Sequence, residues 1–443
     1  MLQNIVIIGN GIAGITCARN VRKQSDDEIM VISSETEHFY SRTALMYIYM
    51  GHMKYEHTKP YEDWFWKKNR IRLLKDHVTS IDIANKQVVL AKSSPISYDK
   101  LVIATGSKSN KPDFKGIDLK GVQGLYGMPD VEQMFENTKG IKRGVIVGGG
   151  LIGIEMAEML LSKNIHVSFL VREPLFWNNV LPKEEAGLVT RHIKEHHVDL
   201  RLATELKEIK GNNEGKVTTV ITSNGDEIEC QFAGITVGVS PNIPFLKESG
   251  IETDRGVLVN EFFETNVPGI YSIGDCAQHR KPVAGRKAIE QVWYTGRIHG
   301  ETLAQTLVGK KTEYNPGPWF NSAKFFDIEY QTYGKVDAKP NQEESSFYWE
   351  HANGKIRFRA VYNKQDETIV GFNALGMRLD HQLCDKWLQE KKTIDDVMSE
   401  LYQLNFDPEF FDKHERSILS FYNQQMGKNI KSKIKKGFAL FNW

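Results

Sequence analysis

The sequence predicts an α/β fold in which one strand–turn–helix unit occurs twice and a smaller α/β domain follows. Three observations predict it. A Gly-x-Gly-x-x-Gly run, Gly9 to Gly14, follows a short apolar strand and opens a helix near the start of the chain. The same layout returns at Gly148 to Gly153. From about residue 320 the composition shifts, with Trp319, Phe320, Phe325, Phe326, Tyr330 and Tyr333 in close succession.

The elements follow in chain order. Asn4-Ile5-Val6-Ile7-Ile8 reads as a core strand, Gly9-Asn10-Gly11-Ile12-Ala13-Gly14 as a tight turn, and the stretch through Arg19 and Val21 as a helix. Ile29 to Ile32 is the next strand. It ends in Ser33-Ser34-Glu35, closing a βαβ unit with a carboxylate at its far end. Gln87 to Leu90 suits a small strand, and Leu101-Val102-Ile103 runs into Ala104-Thr105-Gly106. Pro112 and several glycines mark a connection over 107–125. Val145-Ile146-Val147 starts the second unit, whose helix carries Glu155, Met156, Ala157 and Leu160 and whose next strand is Val167 to Val171. Residues 217–238 read as hairpin strands with a turn signal at Asn224-Gly225. Ile270 to Ile273 is one more core strand, ending at Gly274-Asp275, and 286–308 have helical spacing. Strand-like runs at 356–362 and 368–372, then helical stretches, make up the last domain.

Composition bounds the function. At 443 residues the chain is long enough for roughly three domains. Apolar residues make up 40% and charged residues 26%, the balance of a soluble globular protein. A net charge of +1 supplies no global field to draw nucleic acid, so no nucleic-acid partner is expected. The cysteines Cys17, Cys230, Cys276 and Cys384 form no CxxC pair, which argues against an iron–sulfur cluster or structural zinc on thiolates. Free thiols in a chain of this size suit a reducing compartment. Only four residues precede Ile5, so no presequence is expected. No apolar stretch reaches the length of a membrane span, and a cytoplasmic location is the expectation. His196-His197 reads as a solvated helix surface, because adjacent residues face different sides of a helix, and no metal is expected. The aromatic cluster at 319–333 reads as core packing ahead of a docking face. The tail carries Lys428, Lys431, Lys433, Lys435 and Lys436, then Phe438, Leu440, Phe441 and Trp443. It is open between a solvated end, a docking site for an acidic redox protein and a weak membrane-surface contact.

The glycine turns carry the chemistry. The first glycine allows a tight turn, the second lets backbone approach a pyrophosphate, and the third lets helix pack on strand. The helix N-terminus then offers free N–H groups and a partial positive charge to the phosphates. Glu35 follows Gly14 by about 20 residues, where a carboxylate accepts hydrogen bonds from an adenosine ribose. In the second unit Val171 holds the usual acidic position. Arg172 beside it would receive a 2′-phosphate and favour NADPH, whereas Glu173 would bind a ribose diol and favour NADH.

With these residues in hand, the sequence resembles the FAD-dependent pyridine nucleotide-disulfide oxidoreductase superfamily. Four features carry the resemblance: Gly9 to Gly14 with Glu35; Ala104-Thr105-Gly106; Gly148 to Gly153 with Glu155; and Thr265 to Asp275, the superfamily's flavin motif. The closer likeness is to the branch without a redox disulfide: rubredoxin reductases, ferredoxin reductases and the flavin part of nitrite reductase. It spans roughly residues 1–335. The resemblance implies two Rossmann-type (glutathione-reductase-like) dinucleotide-binding domains plus a smaller C-terminal α/β domain. Residues 1–110 and 262–319 would bind FAD, 111–261 would bind NAD(P)H, and 320–443 would form an interface-like domain with the basic tail, compatible with a homodimer.

It also implies roles. Gly9, Gly11, Ile12, Ala13 and Gly14 would cradle the FAD pyrophosphate, and Ala104, Thr105 and Gly106 would pass close to the FAD. Arg42 resembles a flavin-contacting arginine, and Val78 would offer its backbone to adenine. Gly274 and Asp275 would hold the ribityl chain. Gly148, Gly150, Ile152, Gly153 and Arg172 would hold the nicotinamide dinucleotide, with Gly238 beside its ring. Glu155 would approach the nicotinamide. Glu290, Gln291 and Val292 would begin a helix, running from about Lys287, whose dipole stabilises charge on the reduced ring. One departure is chemical: residues 36–53 hold no cysteine, so dithiol chemistry there is excluded.

The function implied is an FAD-dependent NAD(P)H:acceptor oxidoreductase, passing hydride from NAD(P)H to flavin and electrons onward. The external acceptor would be a rubredoxin- or ferredoxin-like carrier protein or a small molecule. Two alternatives stand beside it: a membrane-associated NADH:quinone reductase, and a nucleotide-responsive flavoprotein acting in binding or signalling.

Overall fold

A computed structural model describes residues 2–407, 409–410 and 412–433. They form two compact units. One comprises the chain through Arg172 together with Asp199–Pro316; the other comprises Glu173–Val198 and the described residues from Gly317 onward.

In the first unit, five parallel strands lie in the order Ile270–Ser272, Lys100–Ile103, Asn4–Ile8, Glu28–Ser33, Ile71–Lys75. Ile5, Val6, Ile7 and Ile8 are all buried, because a parallel sheet is covered on both faces. Register decides what the sheet presents. Ile8 pairs with Ile32 on one side and with Ile103 on the other, and Ile103 pairs with Ser272. Gly9, Ser33, Ala104 and Ile273 therefore emerge together at the carboxyl edge, where open α/β sheets bind ligands.

A second parallel sheet has the order Asp199–Arg201, His166–Leu170, Arg143–Val147, Phe232–Ile235, Val122–Gln123. Here the structure corrects the expected hairpin over 217–238. Val217–Thr222 does pair antiparallel with Glu227–Glu229. Phe232–Ile235, by contrast, is fully buried beside Arg143–Val147, where only a parallel partner completes the sheet. A second correction concerns 286–308. The helix is Trp293–Leu307, and Val292 before it is extended at φ −134°. The preceding residues stay irregular because the Glu290 side chain turns inward to a buried partner set rather than along a helix surface.

The second unit holds an antiparallel sheet in the order Phe320–Phe325, Ile328–Gly334, Ile369–Leu375, Arg357–Asn363, Glu344–Glu350. Helices His381–Gln389, Ile394–Glu400 and Glu415–Met426 supply Trp387, Val397, Ile418 and Tyr422 to its core. Phe325, Phe326, Tyr330 and Tyr333 are buried, so these members of the aromatic cluster are packing residues. Glu173–Val198, inside the stretch expected for the second nucleotide domain, belongs to this unit. Its helix Lys183–Glu195 buries Glu185 against the Arg359 guanidinium at 2.9 Å, and Trp177 meets the Phe325 ring edge-on at 5.3 Å.

Two of the three described tail lysines are paired. Lys428 pairs with Asp395 at 2.9 Å and Glu367 at 3.3 Å, and Lys433 reaches Glu400 at 3.5 Å. Lys435, Lys436, Phe438, Leu440, Phe441 and Trp443 lie outside the described residues. Among the described residues no helix is long and apolar enough to cross a membrane.

Candidate active site

The first glycine turn is built by close approach. Gly9 has φ +117°, and a Cβ there would lie 2.1 Å from the Ala104 carbonyl oxygen. A Cβ on Gly14 would lie 2.1 Å from the Gly9 carbonyl oxygen, so the helix Ile12–Arg22 can seat on the strand only at glycine. Gly11 differs. A Cβ there meets nothing within 4 Å, and Gly11 caps the helix without a side-chain bond. Space and unsatisfied N–H groups at a helix start make a phosphate cradle.

Opposite the turn, Asp275 sits in a one-turn helix after the strand Ile270–Ser272. Its carboxylate accepts from Tyr126 Oη and Ser107 Oγ, each at 3.2 Å, and Gln291 Nε2 donates to Ser107 Oγ at 2.8 Å. Burial raises the Asp275 carboxyl although those two hydroxyls and Arg42 pull it down. The Gly274 N–H is donated to His299 Nδ1 at 3.0 Å, which ties the turn to the Trp293–Leu307 helix.

Glu35 and Arg42 form one assembly. Arg42 Nη2 lies 2.7 Å from Glu35 Oε2, and Tyr40 also donates to the carboxylate. The Met128 N–H donates to Glu35 at 2.9 Å, and the guanidinium sits 4.7 Å from the centre of the Tyr126 ring. Burial would raise the Glu35 carboxyl, but Arg42 and Tyr40 hold it below its ordinary value.

The second turn repeats the first. Gly148 has φ +113° and would place a Cβ 2.6 Å from the Thr236 carbonyl oxygen; Gly153 would place one 2.5 Å from the Gly148 carbonyl oxygen. At Gly150 the nearest atom to a Cβ is 4.0 Å away. The helix that follows, Leu151–Leu161, sends Ile152 and Glu155 into the same chamber that Gly9, Gly11, Asp275 and Gln291 line, a cavity of about 880 Å³. Burial, reinforced by Glu158, pushes the Glu155 carboxyl up to about 7, and no cation pairs with it among the described residues.

A glycine turn and the helix that follows a second glycine turn share one chamber, as a two-nucleotide flavoenzyme requires, and residues 3–295 match the pyridine nucleotide-disulphide oxidoreductase family. The chain belongs to this family. Among its relatives, the assimilatory nitrate reductase electron transfer subunit of Bacillus subtilis is 28% identical over 88% of this chain and 50% of its own length. The rubredoxin-NAD(+) reductase of Ectopseudomonas oleovorans is 27% identical over 71% of this chain and 83% of its own. A ferredoxin reductase from Rhodopseudomonas palustris has the same fold, with a TM-score of 0.77 at 22% identity, covering 84% of this chain and 91% of that one. The chain spans about half the length of several curated relatives it matches. Family members bind FAD and use NAD(P)H, and the residues here fit both groups: each turn leaves its middle glycine facing open space where a side chain would stand.

The chamber brings together Gly9, Gly11, Ile12, Ala13, Glu35, Arg42, Val78, Ala104, Thr105, Gly106, Ile152, Glu155, Gly274, Asp275 and Gln291. Gly14, Gly148, Gly150, Gly153, Arg172, Gly238 and Val292 do not line it. Gly14 and Gly153 serve packing. Gly238 has φ +95°, and Arg172 is exposed beside buried Val171, which packs against Gly149. Sequence reasoning missed Tyr126, Ser107, Tyr40 and Asp130, which all line the chamber. Asp130 accepts from the Tyr126 and Gly127 N–H groups at 2.7 and 2.9 Å and so aims Tyr126 at Asp275. No local spacing signals a tyrosine whose partner lies 149 positions away.

Glu290 lies outside the chamber, with its carboxylate turned away from it. It accepts from Tyr314 Oη at 2.7 Å, pairs with Arg286 Nε at 2.8 Å and lies 3.9 Å from His299 Nε2. His299 links it to the Gly274 turn, whose N–H donates to His299 Nδ1. Burial would raise the Glu290 carboxyl, but His299, Tyr314 and Arg286 hold it below its usual range. Such a group stabilises the fold above its unfolded titration range, and that stability is lost as pH falls. Tyr314→Phe removes one donor from a buried carboxylate and is expected to cost about 1–3 kcal/mol at neutral pH. The difference from wild type should shrink in acid, as urea unfolding at several pH values would read.

Proposed function

We propose that the protein is an FAD-dependent NAD(P)H:acceptor oxidoreductase that passes electrons to a small carrier protein of the rubredoxin or ferredoxin type. The observation that carries this reading is one chamber shared by both nucleotide motifs: Ile152 and Glu155, on the helix after the second glycine turn, line it together with Gly11, Asp275 and Gln291. FAD, when bound, supplies the capacity to take two electrons from a nicotinamide and release them singly or in pairs.

The chain's own residues bind, orient and protonate. The N–H groups after Gly9 and Gly148 would hold pyrophosphates, Glu35 would hold the adenosine ribose, and Arg42, stacked on Tyr126 beside Asp275, would contact the flavin. Asp275, fixed by Tyr126 and Ser107, takes the ribityl hydroxyls. Glu155, at about 7, is able to hold or give up a proton at neutral pH beside the reacting rings. No thiol takes part: all four cysteines are buried, and burial raises the titration of each. Free buried thiols also suit the cytoplasm, the location this reading assigns.

Relatives named for rubredoxin reduction and for electron transfer to nitrate reductase support a protein acceptor. The neutralised Lys428 and Lys433 weigh against a membrane anchor in the described part of the tail. Mixing the purified protein with NADH or NADPH without oxygen should bleach the flavin's visible band. Carrier reduction should then turn over on the order of 10 s⁻¹ or faster. No bleaching with either nucleotide would sink the reductase reading. Bleaching with negligible turnover on every carrier, together with a change in oligomer size, would point to a signalling flavoprotein.

A further inference from the structure

We infer that the second unit carries a binding site for one divalent transition-metal ion, of the zinc type, formed by His192, His196 and Asp327. His192 lies on the helix Lys183–Glu195 and His196 caps its C-terminus. Asp327 is at the tip of the hairpin between Phe320–Phe325 and Ile328–Gly334, 131 positions from His196. The three ligand atoms converge. His192 Nε2 is 2.6 Å from Asp327 Oδ1, His196 Nε2 is 3.0 Å from the same oxygen, and the two Nε2 atoms are 3.2 Å apart. Donors at Zn–N and Zn–O lengths of about 2.0–2.1 Å on a tetrahedral ion stand roughly 3.3 Å apart, so a small outward shift of the ligand atoms, mostly between His192 and Asp327, admits one ion.

The surroundings of His192 orient it as a ligand. Nδ1 lies 3.4 Å from Glu195 Oε2 and Nε2 faces Asp327. With a metal on Nε2, Nδ1–H donates to Glu195, the carboxylate–histidine–metal arrangement that fixes a ligand's tautomer. Phe326 at φ +56° stacks on His196 at 4.1 Å and holds that ring in place, and Lys355 Nζ is 3.5 Å from the other Asp327 oxygen. His196 and Asp327 are 36% and 59% exposed, so water completes the coordination. The ion would clamp the hairpin tip to the helix end, a structural role separate from the redox chamber.

The test is Zn²⁺ titration of the metal-stripped full chain against a chromophoric chelator, with Co²⁺ substitution read by its visible absorption. One equivalent is expected to bind with a tetrahedral Co²⁺ spectrum. His196→Ala and Asp327→Asn should each weaken binding by about 100-fold or more, and Glu195→Gln by about 10–100-fold. Circular dichroism would check that each variant is folded. Asp327→Asn, which keeps the side-chain shape, guards against a folding defect in His196→Ala. Binding equally weak in wild type and both ligand variants, or no Zn²⁺ bound at all, overturns the site.

Discussion

Gly14→Ala is expected to yield no folded nucleotide-binding unit, whereas Gly11→Ala is expected to fold and come out colourless. The two glycines are three positions apart and do opposite things. The Gly14 methyl would lie 2.1 Å from the Gly9 carbonyl oxygen and 3.1 Å from the Ile7 side chain. Backbone cannot yield there without unseating the helix from the sheet, so the cost exceeds the usual 1–3 kcal/mol of an overpacked core, by about as much again. At Gly11 the backbone is at φ −71°, which alanine adopts freely, and the new methyl meets no protein atom. It occupies only the space the pyrophosphate needs. Expression in soluble form, circular dichroism and the flavin absorbance of each variant decide the matter. A yellow Gly11→Ala protein with full flavin content would remove the first turn from the cofactor site.

Glu155→Gln is expected to stabilise the protein at pH 8 and to flatten the pH dependence of flavin reduction. The carboxyl titrates at about 7 in the folded chain, raised from an ordinary 4.5 by burial and by Glu158. Between those values the folded chain holds a proton that the unfolded chain has lost, so stability falls as pH rises through the window. Above about pH 7 the fold carries the whole cost of an ionised carboxylate at the chamber wall, on the order of 3 kcal/mol at about 1.36 kcal/mol per pH unit. Glutamine removes that cost at pH 8 and changes little near pH 4.5, which denaturant unfolding at both ends would show. In stopped flow, wild type should show an inflection near pH 7 in the reduction rate that Glu155→Gln lacks. An inflection unchanged in the variant would exclude Glu155 as the titrating group.

What the sequence determined by itself is everything local. A glycine at the second position of each turn, a carboxylate about 20 residues on and an aspartate after Ile270 to Ile273 are short-range patterns, and each is legible because strand, turn and helix form from neighbouring residues. Both Rossmann units and the part of the chamber lining that the glycine turns and the Gly274-Asp275 motif supply follow from them. The tertiary structure alone decided what depends on contacts between distant segments. It moved Phe232–Ile235 from a hairpin into a parallel sheet, and it turned Glu290 away from the chamber toward Tyr314. It brought Tyr126 to Asp275 across 149 positions and Asp327 to His192 across 135. By sequence His196-His197 reads as a solvated helix surface; His192 and His196 become a candidate site only because Asp327 arrives from elsewhere in the chain. Local propensity cannot encode that meeting, since it is set by how sheets and helices pack once each has formed.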